Sequence, residues 1–155
     1  MKVRFLLPLL FLLSLQSCTE QKIFSAFETN FSKNQWKQEE VKTFEFRIEK
    51  EARFYDVALH FAYLSDFVVN SVPFVVTVIH PDGSTEKKSI NIVVKDDQNK
   101  ETGVCAGDYC DIRSFIFKDE ALKKGVYKIL IQHEFTGPYL PNVNGIGIEV
   151  LAQAD

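Results

Sequence analysis

The stretch VKTFEFRIE at residues 41–49 alternates apolar and polar side chains. Successive side chains of an extended chain point to opposite faces. Phe44, Phe46 and Ile48 therefore share one face, and the polar residues between them share the other. The pattern predicts a β-strand that buries one face and exposes the other.

Similar segments follow along the chain. Residues 54–64 alternate over a longer stretch, and residues 73–80 are almost continuously apolar. Pro81-Asp82-Gly83-Ser84 has the composition of a tight turn that leads into a return strand. Further strands are predicted at 85–95, 111–118, 126–135 and 145–151, with one helical turn at 119–125. Gly145 and Gly147 in the last strand indicate a bend or a close backbone approach.

About seven strands with almost no helix predict an all-β domain over residues 36–155. The 14 phenylalanines of the chain supply apolar faces for two sheets to bury against each other. We therefore expect an antiparallel, jelly-roll-like β-sandwich.

The N-terminus has the features of a bacterial lipoprotein signal. Lys2 and Arg4 precede about ten apolar residues, which are too few to span a bilayer, and Leu15-Gln16-Ser17-Cys18 fits a lipobox. Residues 1–17 are predicted to be a cleaved signal peptide, and Cys18 is predicted to carry acyl chains such as palmitate. Two or more such chains hold a protein stably at a membrane. We expect an envelope protein that is lipid-anchored and either faces the periplasm or is exposed at the surface.

Residues 18–35 form the predicted lipidated N-terminus and tether. Ile23, Phe24, Phe27 and Phe31 have spacings of one, three and four, which suit one face of a short helix. An extended tether whose aromatic rings dock onto the domain fits the same residues. Both interpretations stay open from the sequence alone.

Charge argues against nucleic acid as a partner. Without residues 1–17 the chain keeps 16 of its 18 basic residues and all 21 acidic ones. A mildly acidic surface that lacks a Lys/Arg cluster releases no counterions from nucleic acid and is not attracted to anionic lipid.

Cys105 and Cys110 remain after the acylated cysteine and are predicted to form a disulfide, as an even pair in an exported protein usually does. Their spacing is not the CxxC of a thiol oxidoreductase. His60, His80 and His133 stand apart along the chain and are predicted to be packed or surface residues, so no metal or cofactor is expected. The acidic loop 97–108 lacks the glycine and the final glutamate of a calcium loop.

Four residues near the cysteines and the last strand are candidates for ligand or partner contact. Asp108 and Asp111 are a possible carboxylate pair for glycoside hydrolysis, although acidic residues beside a strand are more often solvated turn residues. Tyr109 and Tyr139 lie in loops beside glycine or proline and are the best candidates for exposed rings that stack on a sugar or contact a partner. The chain has no GxSxG or phosphate-loop motif, so we expect no enzymatic activity.

Several short motifs follow one another along nearly the whole chain. They are Cys18, the aromatic segment Ile23, Phe24 and Phe27 leading to Trp36-Lys37, the strand Phe44-Glu45-Phe46, Pro81-Asp82-Gly83, Gly103, Gly107-Asp108, Asp111-Ile112, Gly125-Val126-Tyr127-Lys128 and residues 140–150. In this order they resemble the GldH-type gliding motility lipoproteins of the Bacteroidetes. The resemblance implies a lipoprotein of the gliding and type IX secretion apparatus, with a role in assembly and no known catalytic activity.

The function that the sequence favours is that of a membrane-anchored, non-enzymatic lipoprotein. Its expected partners are the membrane, through acylated Cys18, and other proteins of the envelope or gliding machinery. The alternative is a carbohydrate-binding β-sandwich lipoprotein of a glycan-uptake system.

Overall fold

The computed structural model of the protein describes residues 20–51 and 53–153. The strands are β1 (Gln21–Glu28), β2 (Trp36–Lys37), β3 (Lys42–Ile48), β4 (Phe54–Leu64), β5 (Ser71–Ile79), β6 (Thr85–Val93), β7 (Val104–Ala106), β8 (Tyr109–Ala121), β9 (Gly125–His133), β10 (Tyr139–Leu140) and β11 (Val143–Ala152). One turn of 3-10 helix, Ser32–Asn34, lies between β1 and β2. The predicted signal peptide and Cys18 lie outside the described residues.

The strands form two main sheets in which neighbouring strands are antiparallel. The five-stranded sheet has the order β1-β11-β4-β8-β7, and the four-stranded sheet has the order β3-β9-β5-β6. A small third sheet pairs β10 with β2. The two main sheets pack face to face around one core, which confirms the predicted antiparallel β-sandwich.

The long alternating segment at 54–64 is confirmed as β4, a central strand of the five-stranded sheet. Its inward side chains, from Tyr55 to Tyr63, are buried. Phe61 lies 5.3 Å from Phe74 of β5, between ring centroids, and so joins the two sheets. Phe67, in the connection after β4, packs edge-on against Phe61 at 5.8 Å.

The predicted hairpin at 73–95 is confirmed as β5 and β6. Gly83 has a φ of 81°, and its N–H donates to the carbonyl of His80 at 2.9 Å, which closes the turn. In β6 exposed and partly buried residues alternate, as expected for a strand with one wet face.

Residues 21–28 are extended, so the helix alternative for this segment is wrong. They form the edge strand β1, which pairs with β11 and starts inside the segment predicted to be a tether. Phe24 points inward, 5.9 Å from Phe46 of β3, whereas Ile23 and Phe27 are exposed. An extended chain here satisfies the backbone edge of β11, which a helix would leave unpaired.

Gly145 and Gly147 allow β1 to approach β11 closely, as the sequence predicts. A Cβ at Gly145 would collide with the ring of Phe27, and a Cβ at Gly147 would collide with the carbonyl oxygen of Ala26. Both glycines therefore let the edge strand pair with the sheet.

The predicted helical turn at 119–125 is wrong, because β8 continues to Ala121. The backbone N–H of Asp119 donates to the carboxylate of Asp56 on β4 at 2.8 Å, which holds the strand in register. Gly125 then starts β9 against Pro81, where a Cβ would lie 2.5 Å from the proline Cβ.

The two ends of the sandwich carry different connections, and we call them the N-terminal end and the disulfide end. The N-terminal end carries Gln21, the connection from β3 to β4, the turn at 80–84 and the connection at 122–124. The disulfide end carries the connections at 65–70, 94–103, 107–108 and 134–142.

Replacing Phe61 by alanine tests the role of the rings that join the sheets. Phe61→Ala should lower the free energy of unfolding by about 3–5 kcal/mol, because the fully buried ring leaves a cavity between the sheets. The matched control is Phe54→Ala, since Phe54 starts the same strand and is 55% exposed. Urea unfolding should show a change of about 0.5 kcal/mol or less for the control. Equal losses in the two variants would contradict this account of the core.

Candidate functional site

Asp108, Tyr109 and Tyr139 all lie at the disulfide end, and Asp111 lies two residues into β8 from it. Asp108 belongs to the turn of the β7–β8 hairpin, Tyr109 starts β8, and Tyr139 starts β10. Cys18, the fifth predicted site residue outside the disulfide pair, is not among the described residues.

The β7–β8 hairpin is closed by the disulfide that the sequence predicts. Cys105 and Cys110 are register partners in the hairpin and are covalently joined, with their Cα atoms 4.0 Å apart. Gly107 takes the first central position of the two-residue turn with a φ of 62°, a conformation that glycine adopts without steric cost. Cys110 is buried and Cys105 is exposed, so the bond ties an exposed short edge strand to the core.

Tyr109 and Tyr139 are exposed, by 55% and 38%, on loops that border the same segment. The N–H of Ser65 donates to the carbonyl of Asp108, beside Tyr109, at 2.9 Å. The N–H of Leu64 donates to the carbonyl of Asn142, three residues after Tyr139, also at 2.9 Å. The start of the connection at 65–70 thus holds both loops in place.

Exposed apolar side chains are concentrated at this end. Ten large apolar residues of the described ranges are exposed, and five of them lie here: Val68, Val93, Val104, Tyr109 and Tyr139. Val104 is the most exposed of the ten, at 83%. Exposed apolar side chains that gather in one region typically mark a contact surface. The sequence predicted only the two tyrosines of this group.

The connection at 94–103 is fixed by its own carboxylates. The side chain of Asp96 accepts hydrogen bonds from the backbone N–H groups of Gln98 and Lys100, both at 2.9 Å. The carboxylate of Glu101 accepts a hydrogen bond from the hydroxyl of Tyr63 at 2.8 Å. Burial and this hydrogen bond raise the pKa of Tyr63. In the described part of the chain, no group of three or more His, Cys, Asp and Glu side chains is placed to hold a metal ion.

Asp111 lies in a different setting from Asp108. Its side chain is on the outer face of the five-stranded sheet, with Oδ1 3.4 Å from Nδ1 of His60 on β4. Asp108 is an exposed turn residue whose carbonyl holds the connection after β4. Asp111 thus lies on the outer face of the sheet, whereas Asp108 lies in the hairpin turn.

Asp111 belongs to a group of charged side chains on that outer face, which we call the outer-face charge cluster: Lys22, His60, Asp111, Arg113 and Glu149. Oε2 of Glu149 lies 3.4 Å from both Nε2 of His60 and a terminal nitrogen of Arg113, and Lys22 forms an ion pair with Oε1. Glu149 is only 8% exposed. Four strands, β1, β4, β8 and β11, supply these side chains.

Glu149 stays ionised because its partners outweigh its burial. Burial by itself raises the pKa of this carboxyl, whereas the hydrogen bond and charge of Lys22, with the charges of Arg113 and His60, lower it. The net result is a pKa below the usual value. Because the five residues are distant in sequence and meet only through strand register, no local sequence pattern indicates the cluster.

His133 is a packed histidine, one of the two alternatives that the sequence left open. It is buried against Trp36, with ring centroids 5.2 Å apart. Nδ1 accepts the N–H of Phe135, so Nε2 carries the proton and donates to the carbonyl of Trp36 at 3.0 Å. Burial lowers the pKa of His133 despite its backbone hydrogen bonds. The ring therefore anchors the base of the 134–142 connection in its neutral form.

No helix in residues 20–51 or 53–153 is long and apolar enough to cross a membrane.

Residues 23–150 match the sequence profile of a family described as GldH lipoprotein. No curated protein matches the chain.

Thirteen chains in solved structures are similar to it, and three of them are described here. Latent dimeric PorU from Porphyromonas gingivalis has 7% identity and a TM-score of 0.39, over 89% of this chain and 13% of that chain. A structure of the infectious bursal disease virus Gx strain has 15% identity and a TM-score of 0.35, over 88% of this chain and 31% of that chain. The VP2 subviral particle of infectious bursal disease virus has 13% identity and a TM-score of 0.37, over 89% and 32%. The chain thus spans at most about a third of the length of each of these chains.

Glu149→Gln tests the outer-face charge cluster. The variant should lose about 2 kcal/mol of unfolding free energy at neutral pH, because it removes the charge that pairs with Lys22 and Arg113. The folded-state pKa of Glu149 is depressed, so its stabilisation is complete above the unfolded-state pKa and disappears as the pH falls through the folded-state value. The difference in unfolding free energy between wild type and variant, measured with urea, should therefore shrink as the pH falls below the unfolded-state pKa and disappear below the folded-state pKa.

The control is Glu45→Gln, which removes an exposed carboxylate 3.7 Å from Lys128. An exposed pair of this kind contributes about 1 kcal/mol or less. A gap between wild type and Glu149→Gln that widens on acidification would contradict the assignment.

Proposed function

Since the chain belongs to the GldH lipoprotein family, whose members are lipid-anchored envelope proteins associated with gliding motility, we propose that it is a non-enzymatic component of that machinery that works through protein contacts. Cys18 is its acylated residue, and the β-sandwich is the part that other envelope proteins recognise.

The exposed apolar group at the disulfide end is the observation that carries this proposal. Val104, Tyr109 and Tyr139 start the strands β7, β8 and β10 at this end and are exposed rather than buried in the core. Aromatic and apolar side chains on a rigid frame lose little conformational entropy on binding, which favours protein recognition. The disulfide and the hydrogen bonds to residues 64 and 65 supply that frame.

The charged side chains support a non-catalytic role. The carboxylates of Glu149 and Asp111 face His60, Arg113 or Lys22 within the outer-face charge cluster. Glu101 is held by Tyr63, and Asp96 is held by its own loop. These groups keep the sandwich and its connections in place, which is a structural use of charge.

Site-specific photo-crosslinking in living cells of the host tests the proposal. A benzoylphenylalanine in place of Val104 should yield a discrete cross-linked product that contains another protein of the gliding or secretion machinery. The matched control carries the same photo-reactive residue in place of Lys87, which is exposed on β6 away from the disulfide end. A product of equal yield from both positions, or none from Val104, would contradict the proposal.

A second candidate function is carbohydrate binding, which the exposure of Tyr109 and Tyr139 on neighbouring loops favours. Flat rings stack on the apolar faces of sugars, and two rings beside one segment can contact successive units of a glycan. In this case the lipoprotein serves a glycan-uptake system.

A glycan array followed by titration of a bound glycan distinguishes this candidate. If it holds, Tyr109→Ala and Tyr139→Ala should each weaken binding at least about tenfold, the equivalent of 1.4 kcal/mol. Tyr109→Phe and Tyr139→Phe keep the stacking ring and should retain most of the affinity. Absence of glycan binding, or binding that ignores all four substitutions, would exclude the second candidate.

A further inference from the structure

We propose that the N-terminal end of the sandwich rests on the membrane surface and that the disulfide end points away from it. The inference rests on the proposed acylation of Cys18 and deepens it by assigning the surface that meets the lipid headgroups.

The covalent link between the proposed anchor and the sheet is short. Only Thr19 and Glu20 separate Cys18 from Gln21, the first residue of β1. A fully extended chain covers at most about 3.6 Å per residue, so the Cα atoms of Cys18 and Gln21 are at most about 11 Å apart. The first strand of the sandwich therefore starts within reach of the headgroup region.

The strand β1 belongs firmly to the domain and cannot serve as extra tether. Its register with β11 runs from the pair Gln21–Ala152 to the pair Glu28–Ile146. Phe24 reaches Phe46 of the opposite sheet, and Lys22 is held in the outer-face charge cluster. Lengthening the link by peeling β1 away would break these contacts.

Strand register fixes which end meets the membrane. Gln21 pairs with Ala152, and Ala152 pairs with Tyr55 near the start of β4. The 11 residues of β4 then run to Leu64 at the disulfide end. At about 3.3 Å per residue this strand is about 33 Å long, so the disulfide end lies about that far from the anchored end.

The surface chemistry of the N-terminal end fits a position at the membrane that is set by the short covalent link to the anchor and not by electrostatic attraction to lipid. Ile23 and Phe54 are exposed there, by 39% and 55%, and offer apolar contact with the interfacial region. Cations and anions are balanced among the exposed side chains of its connections, which are Glu49, Lys50, Glu51, Asp82, Lys123 and Lys124. Such a mixture gives no polybasic attraction to anionic lipid.

Depth measurement on the full, acylated protein tests the orientation. Lys124→Cys places a thiol at the N-terminal end, and Gln98→Cys places one at the disulfide end, both at exposed positions. The two native cysteines that are not acylated, Cys105 and Cys110, are joined in the disulfide, so a fluorophore labels only the introduced thiol. The proteins are bound to phosphatidylcholine vesicles that carry a nitroxide quencher on a fraction of the headgroups.

The label at Lys124→Cys should be quenched several-fold more strongly than the label at Gln98→Cys. Equal quenching, or stronger quenching at Gln98→Cys, would overturn the orientation. A third protein carries a flexible spacer of about 15 glycine and serine residues between Thr19 and Glu20, with an r.m.s. reach of about 20 Å. It should still float with vesicles but lose the difference in quenching, and a difference that persists would also overturn the inference.

A flotation experiment distinguishes a failure of the proposed orientation from a failure of the proposed anchor. The wild-type protein should float with the vesicles, and a protein that begins at Thr19, without the signal peptide and Cys18, should remain in solution. Wild type that does not float, or a protein beginning at Thr19 that still floats, would refute the anchor and the orientation with it. Flotation that depends on Cys18, combined with equal quenching, would refute the orientation alone.

Discussion

The sandwich depends on aromatic rings that reach from one sheet to the other. Phe61 meets Phe74 at 5.3 Å in the middle, and Phe24 meets Phe46 at 5.9 Å along the β1–β3 side. On the other side, the ring of Phe117 on β8 lies under the Lys88 ammonium of β6, 4.0 Å from it. Sheets pack about 10 Å apart, a gap that large flat side chains fill from both faces. The phenylalanine-rich composition is therefore a requirement of this architecture.

Two strands could be predicted from local alternation. Residues 42–48 alternate strictly and form β3, which has one buried and one exposed face. Residues 54–64 alternate large apolar with small or polar side chains and form β4, whose two faces are both largely buried. β1 was ambiguous because a register shift between Lys22 and Phe24 breaks its alternation, which leaves spacings that also fit a helix. The end of β8 could not be predicted from local sequence. There the N–H of Asp119 donates a hydrogen bond to a carboxylate of β4 that is 63 residues away in the chain. Long-range contacts of this kind leave no local signal.

The candidate site shows the same limit. Gly107 and the paired cysteines are local sequence signals of this turn. Residues 105 and 110 are joined by a disulfide, as predicted. The exposure of Val104 and Val68 could not be read from composition, since valine is usually buried. The outer-face charge cluster was also missed, because Lys22 and Glu149 are brought together only by the pairing of β1 with β11.

The pairing of β1 with β11 also decides what kind of lipoprotein this chain can be. A long flexible tether lets a domain search a wide volume, which lowers its effective concentration at any one partner. Here the first strand of the sheet begins three residues after Cys18, so an anchor at that residue leaves the domain little freedom to search. In the proposed orientation the disulfide end lies about 33 Å from the anchored end, which favours partners whose binding surfaces reach that far from the bilayer. Such geometry suits a component of a fixed assembly better than a freely ranging receptor.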